Sequence, residues 1–293
     1  MPRSRTAERV VALTAARVPF VHATVVRAQC PTSSNPGDAA VVLPDGSIEG
    51  FVGGQCAESS VAAAARRALE TREAILLRIL PEGEEGFPES PGAVTVVNPC
   101  LSGGALEIFL EPRLPAPLLA VVGSTPIADA VTTLAGPLGF ATETVPSGHP
   151  PPEASTAVIV SSHGRDEAST IRAALDAGVG FVGLVASRRR GASVLEEMAL
   201  SADERARVHT PVGVEIGART AEEIALSIMA AVVRAIRVEG LVPPLGAPAP
   251  ATFEVVDPIC GMPVVVGPDT PHVRTGDEDH WFCSTGCRDR YVA

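Results

Sequence analysis

The sequence contains no lysine: all 23 of its basic residues are arginine. That absence removes a Walker-type phosphate lysine, a Schiff-base lysine and a Ser–Lys dyad from the chemistry available to the chain. Positive charge is short overall, with a net charge of −11. General nucleic-acid binding needs a basic footprint, and only a local run, Arg188-Arg189-Arg190, supplies one. No apolar run approaches the ~20 residues of a membrane span; the longest candidate, IALSIMAAVV, stops at Arg234. No secretory signal is visible either. The N-terminus, MPRSRTAERVVALTAAR, carries charge on both sides of a short apolar run and reads as an amphipathic helix. These absences argue against nucleic-acid and membrane partners and predict a soluble, cytoplasmic protein.

What is present is a hydrophobic content of 46% in 293 residues. That is enough for roughly two ordinary domains and a small appendage. Six cysteines occur, at positions 30, 56, 100, 260, 283 and 287. A secreted disulfide scaffold would be smaller and denser in cysteine, so these thiols read as metal ligands, reactive groups or core residues.

The chain reads as an α/β protein in three blocks. Residues 1–113 hold short β-rich runs (ATVVRAQ, AAVVL, SIEGFVGG, AVTVV, ALEIFLEP) around an Ala-rich helix near 56–72. Residues 118–240 alternate strand and helix patterns: LLAVVG, IADAVTTLAGPLG, FATETV, AVIVSS, DEASTIRAALDAG, GFVGLV. The β-α-β-α order predicts a Rossmann-like parallel sheet with helices on both faces. Thr220 ahead of Glu222-Glu223 marks the start of a long helix, TAEEIALSIMAAVVRAIR. LVPPLGAPAPAT, within residues 241–253, is a Pro-rich linker suited to holding two bodies apart. Residues 254–293 then form a unit too small to be stable on apolar burial alone, so a metal or docking is expected to help it.

Five motifs carry the chemistry. In FVGGQCAES a strand ends at Gly53-Gly54 and a helix begins around Cys56. Paired glycines let the backbone turn and present N–H groups, and a thiol at a helix N-terminus is favoured as thiolate. A buried cysteine beside a tight turn explains the same pattern equally well. NPCLSGGALEIFLEP repeats the arrangement at Cys100, Gly103 and Gly104, and two such turns suggest a shared site at one edge of the sheet. VVGSTPIADA stands where a dinucleotide fingerprint would begin at Gly123, but Thr125 and Ala128 replace two glycines, and Thr125 would crowd a pyrophosphate. A nicotinamide cofactor would also need an acidic residue after the next strand, for which Glu143 is the candidate. FVGLVASRRR puts Arg188 and Arg189 at a strand end, where guanidinium forks suit phosphate or carboxylate groups; His163 and Asp166 lie at a neighbouring strand end. Finally, DPICGM and HWFCSTGC place Cys260 on a turn and Cys283 and Cys287 four residues apart on one helix face. Three soft ligands suit zinc or copper(I), with His272, His280 or solvent as the fourth. Cys30 has no assigned role and reads as a core thiol.

These pieces, in this order, resemble the XdhC/CoxI family. ATVVRAQCPTSSNPGDAAVVLPDGSIEGFVGGQCAES looks like its N-terminal domain, VNPCLSGGALEIFLEP like its second Cys-Gly-Gly segment, and FVGLVASRRR with VHTPVGVEIGARTAEEIALSIMAAVV like its Rossmann domain. Residues 254–293 resemble a YHS domain, and the combination resembles the CoxF-type branch linked to carbon monoxide dehydrogenase. The resemblance implies a maturation factor rather than an enzyme. Such a chaperone binds the molybdenum cofactor (molybdopterin) as cargo, helps its sulfuration with a cysteine desulfurase, and delivers it to the large subunit of a molybdenum hydroxylase of xanthine or carbon monoxide dehydrogenase type. Homodimers are common in the family. The family pattern falls on Gly53, Gly54, Cys56, Glu58, Cys100, Gly103, Gly104, Arg188 and Arg189. The sequence departs from it in Cys-Leu-Ser-Gly-Gly at the second motif and in the added C-terminal module. Two other readings stay open at the level of the residues: an NAD(P)-linked oxidoreductase built on residues 118–240, and a metal-sensing or metal-trafficking protein acting through residues 254–293.

Overall fold

The structure is a computed structural model. It describes residues 3–81, 92–98, 104–245, 253–267, 270–276 and 278–293, and the backbone alone of residues 3, 4, 55, 56 and 98. Cys100 and Gly103 lie outside the described residues. The chain divides into two compact units, one of Met1–Pro115 with Ala247–Ala293 and one of Ala116–Gly246.

The first unit begins with α1 (Arg3–Ala15), β1 (Phe20–Gln29), β2 (Ala39–Val42), β3 (Ile48–Gly50), α2 (Gln55–Thr71), β4 (Ile75–Pro81), β5 (Ala93–Asn98) and β6 (Ala105–Arg113). The six strands lie in the order β3-β2-β1-β6-β4-β5, all antiparallel neighbours except β4 and β5. Period-two alternation sets which face is buried. On β6, Leu106, Ile108 and Leu110 point into the core and Phe109 points out. On the covered face, α2 packs Val61, Ala64, Ala65, Ala68 and Leu69 against the strands. The alanines let the helix axis approach the sheet closely. Leu13 of α1 joins Phe20 and Val41 in a second, smaller cluster. β4 is internal to the sheet, between β6 and β5; the sequence reading assigned no strand to its ILLRILP run.

The second unit runs β7 (Leu118–Val122), α3 (Pro126–Ala135), β8 (Ala141–Val145), β9 (Ser155–Val160), α4 (Glu167–Asp176), β10 (Phe181–Leu184), α5 (Arg188–Glu197), α6 (Ala202–Arg207), β11 (Val208–His209) and α7 (Ala221–Arg237). All neighbours in the order β11-β10-β9-β7-β8 are parallel. β7, β9 and β10 are buried along their whole length, as strands covered on both faces must be. Val131 of α3 and Ile228 and Val232 of α7 cover one face; Ile171 of α4 and Leu195 of α5 cover the other. The expected Rossmann-like sheet with helices on both faces is therefore present. α7 opens with a complete capping box, the Thr220 side chain accepting the Glu223 N–H while the Glu223 carboxylate accepts the Thr220 N–H.

The chain ends with β12 (Glu254–Val256), β13 (Pro263–Val265), β14 (His272–Thr275), β15 (Glu278–Trp281) and α8 (Thr285–Val292). β12 pairs with β13 and β14 with β15, both antiparallel. Among the described residues, the core cluster of this segment is Met262, Val264 and Phe282 together with Cys283 and Cys287, with Val255, Cys260, Val273 and Tyr291 partly buried against it. The segment, read from sequence as a separate unit behind a Pro-rich linker that a metal or docking would help, groups with the first unit, where β13 packs against α2. Apolar burial explains the grouping: so small a core gains by covering Val264 with a helix face.

Candidate functional site

The start of α2 is built by two glycines with different duties. Gly53 has φ +150°, and a Cβ there would stand 2.6 Å from the Ala57 Cβ, so the fold itself requires glycine. Gly54 is the N-cap of α2, in extended conformation, with no side-chain cap. It is exposed, and a Cβ on it would meet nothing within 4 Å. The fold leaves that space open. Nearby, the Ser34 hydroxyl is buried and has no hydrogen-bond partner among the described residues; it lies 3.7 Å from where a Gly53 Cβ would be. A buried hydroxyl without a partner costs free energy of about 1–3 kcal/mol unless something bonds to it. The orphaned hydroxyl, the uncapped helix N-terminus and its dipole together make a turn suited to an anion.

Cys56 is the second residue of α2, and Glu58 stands in the same first turn. The Cys56 thiol is outside the described side chains. Burial pushes the Glu58 carboxyl up from its usual range. Gly104 opens β6 at a close approach: a Cβ there would stand 2.2 Å from the Pro31 carbonyl oxygen. Cys30, expected as a core thiol, is an exposed free cysteine.

The second constellation is the C-terminal thiol cluster. Cys260 Sγ lies 3.5 Å from Cys283 Sγ, which lies 3.6 Å from Cys287 Sγ. A tetrahedral zinc with Zn–S bonds near 2.3 Å sets its sulfurs about 3.8 Å apart, close to these spacings. The fourth group in the cluster is Asp257, all four ligand atoms lying within 4.8 Å of one another. The sequence alone leaves that place to His272, His280 or solvent. Those rings stack elsewhere, His272 on Trp281 at 4.6 Å and His280 on Tyr291 at 5.0 Å. Asp257 is fully buried. Its Oδ1 accepts the Ile259 and Cys260 N–H groups at 2.8 and 3.3 Å, and its Oδ2 accepts the Cys283 N–H at 2.8 Å. Burial opposes its ionisation, but these N–H bonds outweigh burial and hold its carboxyl below the usual range. It thus ties the Cys260 turn to the start of the Cys283 segment. The Asp-x-x-Cys spacing was its only sequence signal. Burial is the main cause that raises the Cys260 thiol to about 11, so a cation at the cluster would bind against proton competition. Ser284 caps α8, accepting the Cys287 N–H at 3.3 Å and so fixing that residue. The cluster also touches α2 directly: the Ser59 hydroxyl donates to the Cys283 carbonyl at 2.9 Å.

In the second unit the chain order reverses between β7 and β9, and the C-terminal ends of such a strand pair are where open α/β sheets place their ligands. Gly123 has φ +103°, and a Cβ there would stand 2.3 Å from the Ser161 carbonyl oxygen. Thr125 is buried; its hydroxyl accepts the Ala128 N–H at 3.1 Å and pairs with Ser161 Oγ at 2.6 Å. Its side chain serves as the cap of α3. Glu143 is exposed on β8. Of the three arginines, Arg188 pairs with Glu215 at 2.8 Å on the exposed surface, and Arg189 is exposed. Arg190, read from sequence only as part of the basic run, has the structural tie: it donates at 2.6 Å to Glu167, a carboxylate only 3% exposed that also accepts the Gly164 N–H at 2.8 Å. Gly53, Gly54, Cys56, Glu58 and Gly104 thus belong to the first unit, and Arg188 and Arg189 to the second.

Comparison with known proteins gives matches along most of the chain. The model of the XdhC and CoxI family matches residues 13–79, and that of the XdhC Rossmann domain matches residues 119–232. YqeB of Escherichia coli (strain K12), a protein itself uncharacterised, is 26% identical over 247 residues, covering 74% of this chain and 43% of that protein. The chain therefore spans less than half the length of that relative. A crystal structure described as a xanthine dehydrogenase from Bacillus halodurans aligns with 78% of this chain and 95% of its own, at 16% identity and a TM-score of 0.39.

Proposed function

Because the chain belongs to the XdhC and CoxI family, we propose that it is an accessory factor of a molybdenum hydroxylase that binds the molybdenum cofactor as cargo at the start of α2. The observation that carries this reading is the open Gly53–Gly54 turn beside the orphaned Ser34 hydroxyl. When bound, molybdopterin brings a phosphate and a dithiolene-held molybdenum. The helix N-terminus, which no side chain caps, and the Ser34 hydroxyl are suited to an anionic group. Cys56, second in a 17-residue helix, sits where the dipole favours thiolate, the form that ligates metal or carries sulfur. The protein's part is to hold and orient the cargo; sulfuration with a cysteine desulfurase and delivery to the hydroxylase large subunit complete the proposal.

Anaerobic titration of the purified full chain with molybdopterin tests it. Saturable uptake is expected, with Cys56→Ala weakening it at least about tenfold, the loss of one charge-assisted contact. Absence of uptake by the intact chain sinks the reading.

The thiol cluster supports a second role, holding zinc or copper(I) as a YHS-type module. Its three sulfurs are preassembled and its small core gains most from a bound ion. Elemental analysis of protein purified under reducing conditions decides it: about one ion per chain is expected, and none would refute the role.

A further inference from the structure

A cavity of about 640 Å³ opens in the first unit where the C-terminal segment meets α2. Its size is that of a small-molecule site. Two carboxylates reach it, Asp45 from the β2–β3 turn and Glu58 from α2. They differ in availability. Asp45 Oδ1 already accepts from the Ser47 N–H at 2.9 Å and the Ser47 hydroxyl at 2.6 Å. Glu58 has no hydrogen-bond or ion-pair partner among the described residues, although its side chain is half-buried. The hydroxyls around it are engaged: Ser59 donates to the Cys283 carbonyl, and Thr270 accepts the Gly267 N–H and donates to the Val265 carbonyl. Ala62, Val264 and Phe282 supply an apolar wall. No arginine or histidine is among the described lining residues.

This lining selects its ligand by elimination. A phosphate finds no cation in the cavity. A hard metal ion takes a shell of oxygen ligands and water, to which the apolar wall of Ala62, Val264 and Phe282 contributes nothing. A flat heterocycle that offers two adjacent N–H donors satisfies both features, its face on the apolar wall and its donor edge on a two-oxygen acceptor.

We infer that the cavity receives the 2-amino-4-oxo ring of a pterin, with the Glu58 carboxylate accepting from the 2-amino group and the adjacent ring N–H. This rests on the cofactor reading above and orients the cargo within it. Glu58 is four residues along α2 from Gly54, about 6 Å of helical rise. The anionic groups then lie at the helix N-terminus and the pterin one turn further on, toward the thiol cluster.

Fluorescence titration of the full chain with free pterin tests the inference without metal, phosphate or dithiolene. Wild-type protein is expected to bind it saturably. Glu58→Gln, which replaces an acceptor by an amide donor, weakens binding by about ten- to hundredfold, with an unchanged thermal midpoint; Glu58→Asp retains part of the affinity. Lumazine, which carries an oxo group in place of the 2-amino group, binds the wild type more weakly by a similar factor. Equal binding of pterin and lumazine, an unchanged affinity in Glu58→Gln, or no saturable binding at millimolar pterin each overturns the inference. Cys56-dependent molybdopterin uptake that persists in Glu58→Gln would sink this inference alone. Glu58-dependent pterin binding without Cys56-dependent uptake would sink the site at the Gly53–Gly54 turn alone.

Discussion

The two glycines at the start of α2 look interchangeable in sequence, but their surroundings separate structure from function. Gly53 needs a left-handed backbone and has Ala57 in the way; Gly54 has neither constraint. Gly53→Ala is therefore expected to destabilise the first unit by about 1–3 kcal/mol, from strain and the 2.6 Å contact. Gly54→Ala stays within about 0.5 kcal/mol of wild type in denaturant unfolding while weakening molybdopterin uptake. If both variants unfold at the same denaturant concentration, the division of labour is wrong. His209 gives a pH dependence at the same scale. It stacks on Phe181 at 4.1 Å, and burial lowers its pKa below the ordinary 6.5. The unfolded chain thus takes up the proton first. The stability His209 contributes is complete above pH 6.5 and is lost as the pH falls through the window below it. His209→Gln should flatten that loss in the second unit. Amide exchange resolved to residues of β10 and β11 is the appropriate readout, because His22 in the first unit is also lowered, chiefly by burial. An unchanged acid profile in the variant would contradict the assignment.

At the scale of elements, the C-terminal segment and α2 depend on each other. Ser59 bonds the Cys283 carbonyl, and β13 lies on the helix. The segment's own core has three apolar side chains beyond its cysteines, too few to hold two hairpins and a helix unaided. Chelator treatment of metal-loaded protein is therefore expected to abolish amide protection across residues 254–293 while β1, β6 and β4 keep theirs. Ser59→Ala, which removes one hydrogen bond worth about 1 kcal/mol, should raise exchange in α8 about fivefold. Protection that survives chelation would show that packing on α2 suffices without metal. The need for a metal or docking was legible in the small size of the segment, but not that α2 is where it docks. The Pro-rich run reads as a spacer because composition reports stiffness, not where the far end lands. The cysteines themselves were legible, since the Cys283–Cys287 spacing already fixes a helix face. Asp257 was not, because its work is done through backbone N–H groups that no sequence pattern displays. β4 was missed for a different reason: ILLRILP is an apolar run next to a helix, interrupted only by Arg78, and periodicity alone does not separate a buried strand from a helix end. The parallel sheet of the second unit was the most legible part, because strands covered on both faces are apolar throughout and alternate with amphipathic helices.

At the scale of the whole molecule, the chain carries two units with separate cores, one gathered on α2 and the other split across the two faces of the parallel sheet. Groups suited to an anion occur in both: the backbone N–H groups at the Gly53–Gly54 turn in the first, and the Arg188 and Arg189 guanidinium groups in the second. Stability and cargo binding can therefore be altered unit by unit. Gly123 is the sharpest probe. A Cβ there would stand 2.3 Å from the Ser161 carbonyl oxygen in a left-handed backbone with φ +103°, and that oxygen belongs to the sheet framework and cannot swing aside. Gly123→Ala should cost more than about 2 kcal/mol and lower the melting of residues 116–246 by several degrees. Protection in β1 and β6, and pterin binding at Glu58, should be unaffected, because the first unit has its own core. Exchange mass spectrometry of the variant, read separately over β7–β9 and over β1–β6, checks both halves of the expectation. Equal loss of protection in the two units would mean that they unfold as one cooperative body, and Glu58-dependent pterin binding would then fall together with the Rossmann-like sheet.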